Sequence, residues 1–195
     1  MNRKIQMLLA ALMSVHLVFI TGCALNKPQQ GVFFNELVDF ASIQTVAVMP
    51  FENFTNNQDA AERVRDVFMG MLLATEAVYV LPPGEVQRAI SRVAMVNPSA
   101  PSIDEIKGLA GILGVDVVIT GVVREYQLLR SGATSANVIS LSMQMIETET
   151  GTIIWSASST KGGITLVDRM IGGGGKPMND VTLESINELL DKLFQ

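Results

Sequence analysis

The chain has 195 residues, of which 48% are hydrophobic and 17% charged, and its formal net charge at pH 7 is −5. This length suits one ordinary globular domain with a substantial core. The acidic balance argues against nucleic acid as a partner, because nucleic-acid binding requires clustered Lys and Arg.

The N-terminus has the features of a secretory signal. A short basic start precedes a nearly continuous apolar run over residues 7–20, which is too short for a membrane-spanning helix of about 20 residues. Two small residues, Thr21 and Gly22, then lead to Cys23, the only cysteine. We therefore predict a signal peptide over residues 1–22, cleaved between Gly22 and Cys23.

Removal of the signal leaves few side chains for catalysis. The only histidine, His16, is lost with it. This excludes His-based acid–base catalysis, Ser-His-Asp and Cys-His pairs, and zinc sites built on His or Cys. Catalysis by a Ser-Lys pair or by a pair of carboxylates is still possible, but no spacing in the sequence indicates either pair. We expect no enzyme, no cofactor and no metal site.

Hydrophobic periodicity predicts nine helices and strands in the mature chain. The first five are a strand over 43–51, a helix over 58–76, a strand over 78–81 and helices over 85–93 and 103–113. The last four are strands over 115–123, 139–147 and 152–159 and a C-terminal helix with Ile186, Leu189, Leu190 and Leu193 on one face.

The order β-α-β-α-α-β-β-β-α predicts an α/β fold with a mixed sheet and helices mainly on one face. The two βα crossovers favour parallel pairing of the early strands, and the short later links favour antiparallel pairing. Residues 43–195 are expected to form this single domain. Trp155 is predicted to lie in the core, on the same face of its strand as Ile153.

Two segments are candidates for contacts with a protein partner. Residues 23–42 are predicted to be a short tether or docking segment, because water-exposed linkers rarely carry so many large apolar side chains. The Gly-rich stretch is predicted to be a flexible loop, since it fails the phosphate-loop spacing around Lys176. The candidate contact residues are Phe33, Phe34, Leu37, Phe40, Gly172, Gly173, Gly174 and Gly175. Packing of the apolar segment on its own domain is the alternative.

Three stretches resemble the CsgG-like periplasmic lipoproteins: "VAVMPFENFT" (Val46–Thr55), "GVDVVITGVVREY" (Gly114–Tyr126) and "IETETGTIIWSASS" (Ile146–Ser159). The group includes the curli secretion protein CsgG, and the synthase activator LpoB and the N-terminal domain of TolB are similar to it in fold. The resemblance implies a protein that works by assembly and without catalysis.

The sequence around the cysteine also resembles the bacterial lipobox, in which the cysteine is acylated. The resemblance implies that Cys23 carries the lipid and that the protein is anchored on the periplasmic face of the outer membrane, because Ala24 is not acidic. Several acyl chains hold a protein firmly on a membrane. An ordinary buried thiol in an N-terminal anchor helix is the alternative.

We expect a structural or accessory lipoprotein in envelope assembly or secretion, with protein partners and a possible homo-oligomer. A CsgG-type pore is disfavoured, because the link Arg130–Asn137 is too short for a membrane-crossing hairpin. An LpoB-type activator of a cell-wall synthase would have only a short tether, about 65 Å if Ala24–Ser42 is fully extended. The alternatives are such an activator and a module that binds small molecules or peptidoglycan fragments near Asn53–Asn57.

Overall fold

The fold consists of a seven-stranded sheet flanked by helices. The computed structural model of the chain describes residues 31–132, 134–164 and 175–194. The strands are β1 (Val32–Phe34), β2 (Thr45–Val48), β3 (Glu52–Asn53), β4 (Tyr79–Val80), β5 (Val117–Ser131), β6 (Thr134–Glu147) and β7 (Ile153–Gly162). The helices are α1 (Ala60–Ala74), α2 (Pro83–Val93), α3 (Ile103–Leu113) and α4 (Met178–Leu193).

The strands are arranged in the order β1-β7-β6-β5-β2-β4, and β3 pairs with β5 beside this path. β2 is parallel to β4 and β5, and β3 is parallel to β5. The later strands β5, β6 and β7 and the edge strand β1 pair antiparallel. The predicted α/β fold with a mixed sheet is therefore confirmed, and the sheet is open.

The helices divide between the two faces of the sheet. On β2, Val46 and Val48 join the core beneath α1 and α4, whereas Ala47 and the next residue after the strand, Met49, join the core beneath α2 and α3. The sequence predicts helices mainly on one face; of the four α-helices in the described residues, two lie on each face. The uninterrupted apolar run of β2 explains the difference, because a strand buried on both faces needs a cover on both.

Several strand boundaries differ from the predicted ones. The N-terminal segment contributes β1, so the folded domain begins by Val32, ahead of the predicted start at residue 43. The predicted link between β5 and β6 is mostly strand, and the two strands run on as a long hairpin to Gly132, where φ is +61°. Hydrophobic periodicity does not predict this extension, because polar residues such as Ser131 and Thr134 interrupt the apolar pattern.

A β-bulge between β6 and β7 overturns the predicted shared face of Ile153 and Trp155. Met145 pairs with Trp155, but the next residue of β6, Ile146, pairs with Ile153. The extra residue Ile154 is fully buried beside Trp155, and Ile153 is left 39% exposed. The core position of Trp155 is confirmed, and the bulge shifts the alternation by one residue.

The helices follow the sequence closely. In α1, Val64, Phe68 and Leu72 form the buried stripe. A capping box begins α3, with the Ser102 hydroxyl accepting from the Glu105 amide and the Glu105 carboxylate accepting from the Ser102 amide. Over the described part of the chain, no helix combines the length and apolar character needed to cross a membrane.

Candidate functional site

The four large apolar residues predicted as partner contacts fall into two pairs. Phe34 and Phe40 pack against the core and against each other, with ring centroids 5.5 Å apart in an edge-to-face arrangement. Phe33 is 49% exposed and Leu37 is 95% exposed. Alternation along β1 explains why Phe33 is exposed and Phe34 is not, because the two side chains point to opposite faces of the sheet. The exposed pair is available to a partner, and the other pair anchors the segment.

β1 is the outermost strand on one side of the sheet. It pairs with β7 through Val32, Phe33 and Phe34, and in the described parts of the chain no strand pairs with its other side. The segment is held beyond the strand by the Asn35 amide, which donates to the Ile154 carbonyl at 2.8 Å. Such an unpaired edge can accept a further strand. We call this edge, with Phe33 and Leu37, the β1 edge.

A second surface lies on the side of the sheet opposite α1 and α4. The core beneath α2 and α3 includes residues of β2 and the start of β5, but of β6 and β7 it includes only Ile146. Between Ile146 and Ser140, the outward side chains of β6 and of the β5 and β7 residues paired with them are partly or largely exposed; farther toward the start of β6, Val138 and Ala136 are buried. We call this surface the open sheet face; its residues are Thr120, Val122, Ser140, Ser142, Gln144, Ser156, Ser158 and Thr160, with Phe33 at its rim.

A bulge in β5 adds two charged side chains to the open sheet face. The register shifts between Val123, which is fully buried, and Glu125, which pairs with Ser140. The intervening residue Arg124 turns its guanidinium to the same face, where Nε donates to the Ser142 hydroxyl at 3.5 Å. The sequence shows the alternating hydroxyls of this face, but no local signal shows the bulge.

A partly buried ion cluster ties α4 to β7. The Glu188 carboxylate accepts hydrogen bonds from the Ser159 hydroxyl at 3.0 Å, from Lys192 at 2.6 Å and from Lys161. Burial alone would raise the pKa of Glu188, but these three donors outweigh it and lower the pKa below its usual value. Because fully buried Ser159 donates to a carboxylate, no Ser-Lys nucleophile is arranged here.

The predicted loop at Asn53–Asn57 uses its polar groups internally. Asn53 donates its side-chain amide to the carbonyls of Asn57 and Gln58 at 2.8 and 3.1 Å, and its oxygen accepts from the Thr55 hydroxyl at 2.8 Å. In the loop proposed as a ligand cleft, these polar groups are therefore engaged in hydrogen bonds within the loop itself. In the described ranges, no cluster of His, Cys, Asp and Glu is arranged to hold a metal ion.

Part of the Gly-rich stretch contacts the first residues of β6. The Gly175 amide donates to the Ser135 carbonyl at 3.0 Å, and a Cβ at Gly175 would lie 2.6 Å from the Ala136 Cα. Only glycine permits this approach. Residues 172–174 lie outside the described residues, as do Cys23 and the signal-cleavage site.

Solved structures share this fold at low sequence identity. The PelC dodecamer from Paraburkholderia phytofirmans matches with a TM-score of 0.54 and 16% identity, over 84% of this chain and 94% of that one. Lipoprotein GNA1162 from Neisseria meningitidis matches with a TM-score of 0.53 and 20% identity, over 62% and 83% of the two chains. A search of curated proteins found no match.

One family model matches the sequence over residues 29–160, and it is described as the peptidoglycan-synthase activator LpoB. The match begins just before β1 and runs into β7, so it includes the β1 edge and the open sheet face. The resemblance to envelope lipoproteins is confirmed for its LpoB member; for CsgG and TolB it stays a prediction. Because the match covers more than half of its length, the chain belongs to the LpoB family of peptidoglycan-synthase activators.

Proposed function

We propose that this protein is a lipid-anchored accessory protein that stimulates a peptidoglycan synthase by direct contact and catalyses no reaction itself. The observation that carries the proposal is the family match over residues 29–160. This function was an alternative to a general role in envelope assembly, and the family now favours it. Cys23 is the proposed lipid attachment, on the periplasmic face of the outer membrane.

The β1 edge is the proposed docking surface for the synthase. Exposed large apolar side chains act as anchors in protein interfaces, and Phe33 and Leu37 supply two of them at one end of the sheet. The unpaired side of β1 adds main-chain donors and acceptors for a partner strand. Phe34 and Phe40 support this surface from beneath, without offering contacts of their own.

The proposed lipid would hold the domain close to the membrane. Val32 is fixed in the sheet by its pairing with Ala157. At 3.3–3.6 Å per residue, the stretch from Cys23 to Val32 reaches about 30 Å when fully extended. This is less than half the reach expected if the tether ran to Ser42. The synthase must therefore extend its own docking domain toward the outer membrane.

Binding to a purified peptidoglycan synthase from the same cell tests the docking surface. The full-length acylated protein in detergent should bind, and the double variant Phe33→Ser/Leu37→Ser should bind at least about tenfold more weakly, since two interface anchors are lost. Leu73→Ser removes an exposed leucine from α1 and serves as the matched control. Equal binding by the double variant and wild type would rule out the β1 edge as the docking surface.

A second copy of the chain is the rival occupant of the β1 edge. PelC structures with this fold are dodecamers. A sheet whose edge strands β1 and β4 each have one side unpaired by any described strand can join head to tail into a ring. Native mass spectrometry of the detergent-extracted protein separates these occupants. A homo-oligomer favours self-assembly, and a monomer bound to one synthase favours the activator. A lone monomer with the synthase present contradicts both.

A further inference from the structure

The open sheet face has the chemistry of a polar binding platform. Of the residues that define it, only Val122 and the rim residue Phe33 are apolar; the others carry hydroxyl groups or a primary amide. The fully buried centre of a protein interface is normally richer in aromatic and aliphatic side chains. The composition of this face therefore suits a hydrophilic ligand better than a protein partner.

The groups on this face form a regular row. Thr120 pairs with Gln144, Gln144 with Ser156, and Ser156 with Phe33, so one row crosses β5, β6, β7 and β1. Neighbouring strands lie about 4.8 Å apart, which makes the row about 14 Å long. Hydroxyl and amide groups thus lead to an exposed aromatic ring at the edge of the sheet. An extended polymer can contact all four positions at once.

The charge of the open sheet face distinguishes between two candidate polymers, a single-stranded nucleic acid and a glycan. Single-stranded nucleic acids stack on aromatic side chains but require a positively charged surface along the phosphates. The charged residues identified on this face are Arg124, Glu125 and Glu52, which pairs with Val122, so acids outnumber bases. The whole chain is acidic as well. A glycan needs hydrogen-bonding groups and an aromatic ring for its C–H faces, and it needs no excess of cations.

The bulge at Arg124 points to a ligand with amide groups. Bulges often redirect a side chain next to a binding site, and this one turns a guanidinium onto a face made mostly of hydroxyls. The contact of Arg124 with Ser142 is long, at 3.5 Å, so its donors are available to a ligand carbonyl. The Gln144 amide can pair with an acetamido group in both directions.

From these observations we propose that the open sheet face binds a glycan strand carrying N-acetyl groups, with Phe33 stacking on a sugar ring and Gln144 and Arg124 bonding its polar groups. This activity goes beyond stimulation of a synthase by protein contact. It would hold the protein on polymer of the kind that a peptidoglycan synthase makes. Phe33 belongs to both surfaces, whereas Leu37 belongs to the β1 edge alone and Arg124 and Gln144 to the open sheet face alone.

Titration with a soluble oligosaccharide tests the proposal. The probe is the β-1,4-linked hexamer of N-acetylglucosamine, added to the full-length acylated protein in detergent and followed by calorimetry. Wild type should bind, and Arg124→Ala/Gln144→Ala should bind about 25-fold more weakly, since each of the two side chains loses a hydrogen bond that contributes about a factor of five. The matched control is Arg88→Ala/Gln87→Ala, which removes the same two side chains from the exposed surface of α2.

Two results of the titration would overturn the glycan proposal, and a parallel assay separates it from the proposed function. Absence of wild-type binding up to millimolar probe, or an equal loss in the control variant, overturns the proposal. Stimulation of the synthase is measured in parallel, and it should be unchanged in Arg124→Ala/Gln144→Ala. Loss of stimulation without any hexamer binding would assign the open sheet face to the protein partner instead. Hexamer binding without any synthase stimulation would leave this inference standing and remove the proposed function.

Discussion

At the scale of single residues, neighbouring side chains have opposite roles in the N-terminal segment. Phe33 and Phe34 are adjacent and chemically identical, yet one is half exposed and the other packs against Phe40 and the core. Sequence alone predicts that the segment is too apolar for a free tether. It cannot say which phenylalanine points inward, because that depends on the register of β1 against β7.

Two alanine substitutions should separate these roles. Phe34→Ala is expected to lower the free energy of unfolding by about 2 kcal/mol, because a partly buried ring and its aromatic partner contact are lost. Phe33→Ala should change it by less than about 0.5 kcal/mol, as for most surface positions. Chemical denaturation monitored by the fluorescence of Trp155 measures both. Similar losses for the two variants would contradict the assigned orientation of β1.

At the scale of elements, α4 is held on the sheet by both apolar and charged contacts. Ile186, Leu189 and Leu193 join the core beneath the helix, and the sequence predicts this face correctly. The ion cluster could not be predicted, because Ser159 and Lys161 lie far from Glu188 in sequence. Trp155 lies beneath α4 and donates to the Lys192 carbonyl at 3.4 Å, so its fluorescence reports whether the helix is seated.

Glu188→Gln should lower the free energy of unfolding at pH 7 by about 1 kcal/mol, since two lysines lose their partly buried carboxylate. Glu184→Gln is the control; this carboxylate pairs with Lys176 at an exposed position and should contribute less than about 0.5 kcal/mol. The folded-state pKa of Glu188 is lowered, so its stabilisation is present above the usual carboxylate pKa and is lost as pH falls through the folded-state value. The free energies of unfolding of wild type and Glu188→Gln should therefore become equal in acid. A difference between them that stays constant down to low pH would be inconsistent with an ionised Glu188.

The two bulges mark the limit of what hydrophobic patterns can show. Period-two alternation predicts the hydroxyl face of β6 and β7, since Ser140, Ser142 and Gln144 alternate with buried residues. One inserted residue at Ile154 and another at Arg124 change which side chains reach each face. Both depend on pairing between strands. The charged part of the open sheet face is for that reason visible only in the structure.

At the scale of the whole molecule, the proposed lipid on Cys23 would confine the domain to the membrane surface, because the link between Cys23 and the sheet is short. If Cys23 is acylated as predicted, Cys23→Ser should release the protein from membranes into the soluble periplasmic fraction, because the acyl chains supply the anchor. Fractionation and intact mass of the purified protein measure the release and the missing lipid. Retention of the serine variant in the membrane pellet, with no acyl mass on wild type, would contradict the lipid anchor.

The rate at which a purified peptidoglycan synthase polymerises glycan, with and without this protein, tests the central claim most directly. The full-length acylated protein is titrated into the synthase in detergent, and product formation is followed continuously. The rate should rise and saturate with wild type, rise equally with Leu73→Ser and rise much less with Phe33→Ser/Leu37→Ser. A rate that is unchanged at saturating wild-type protein, with the synthase shown to be active, would contradict the role of this chain as an activator.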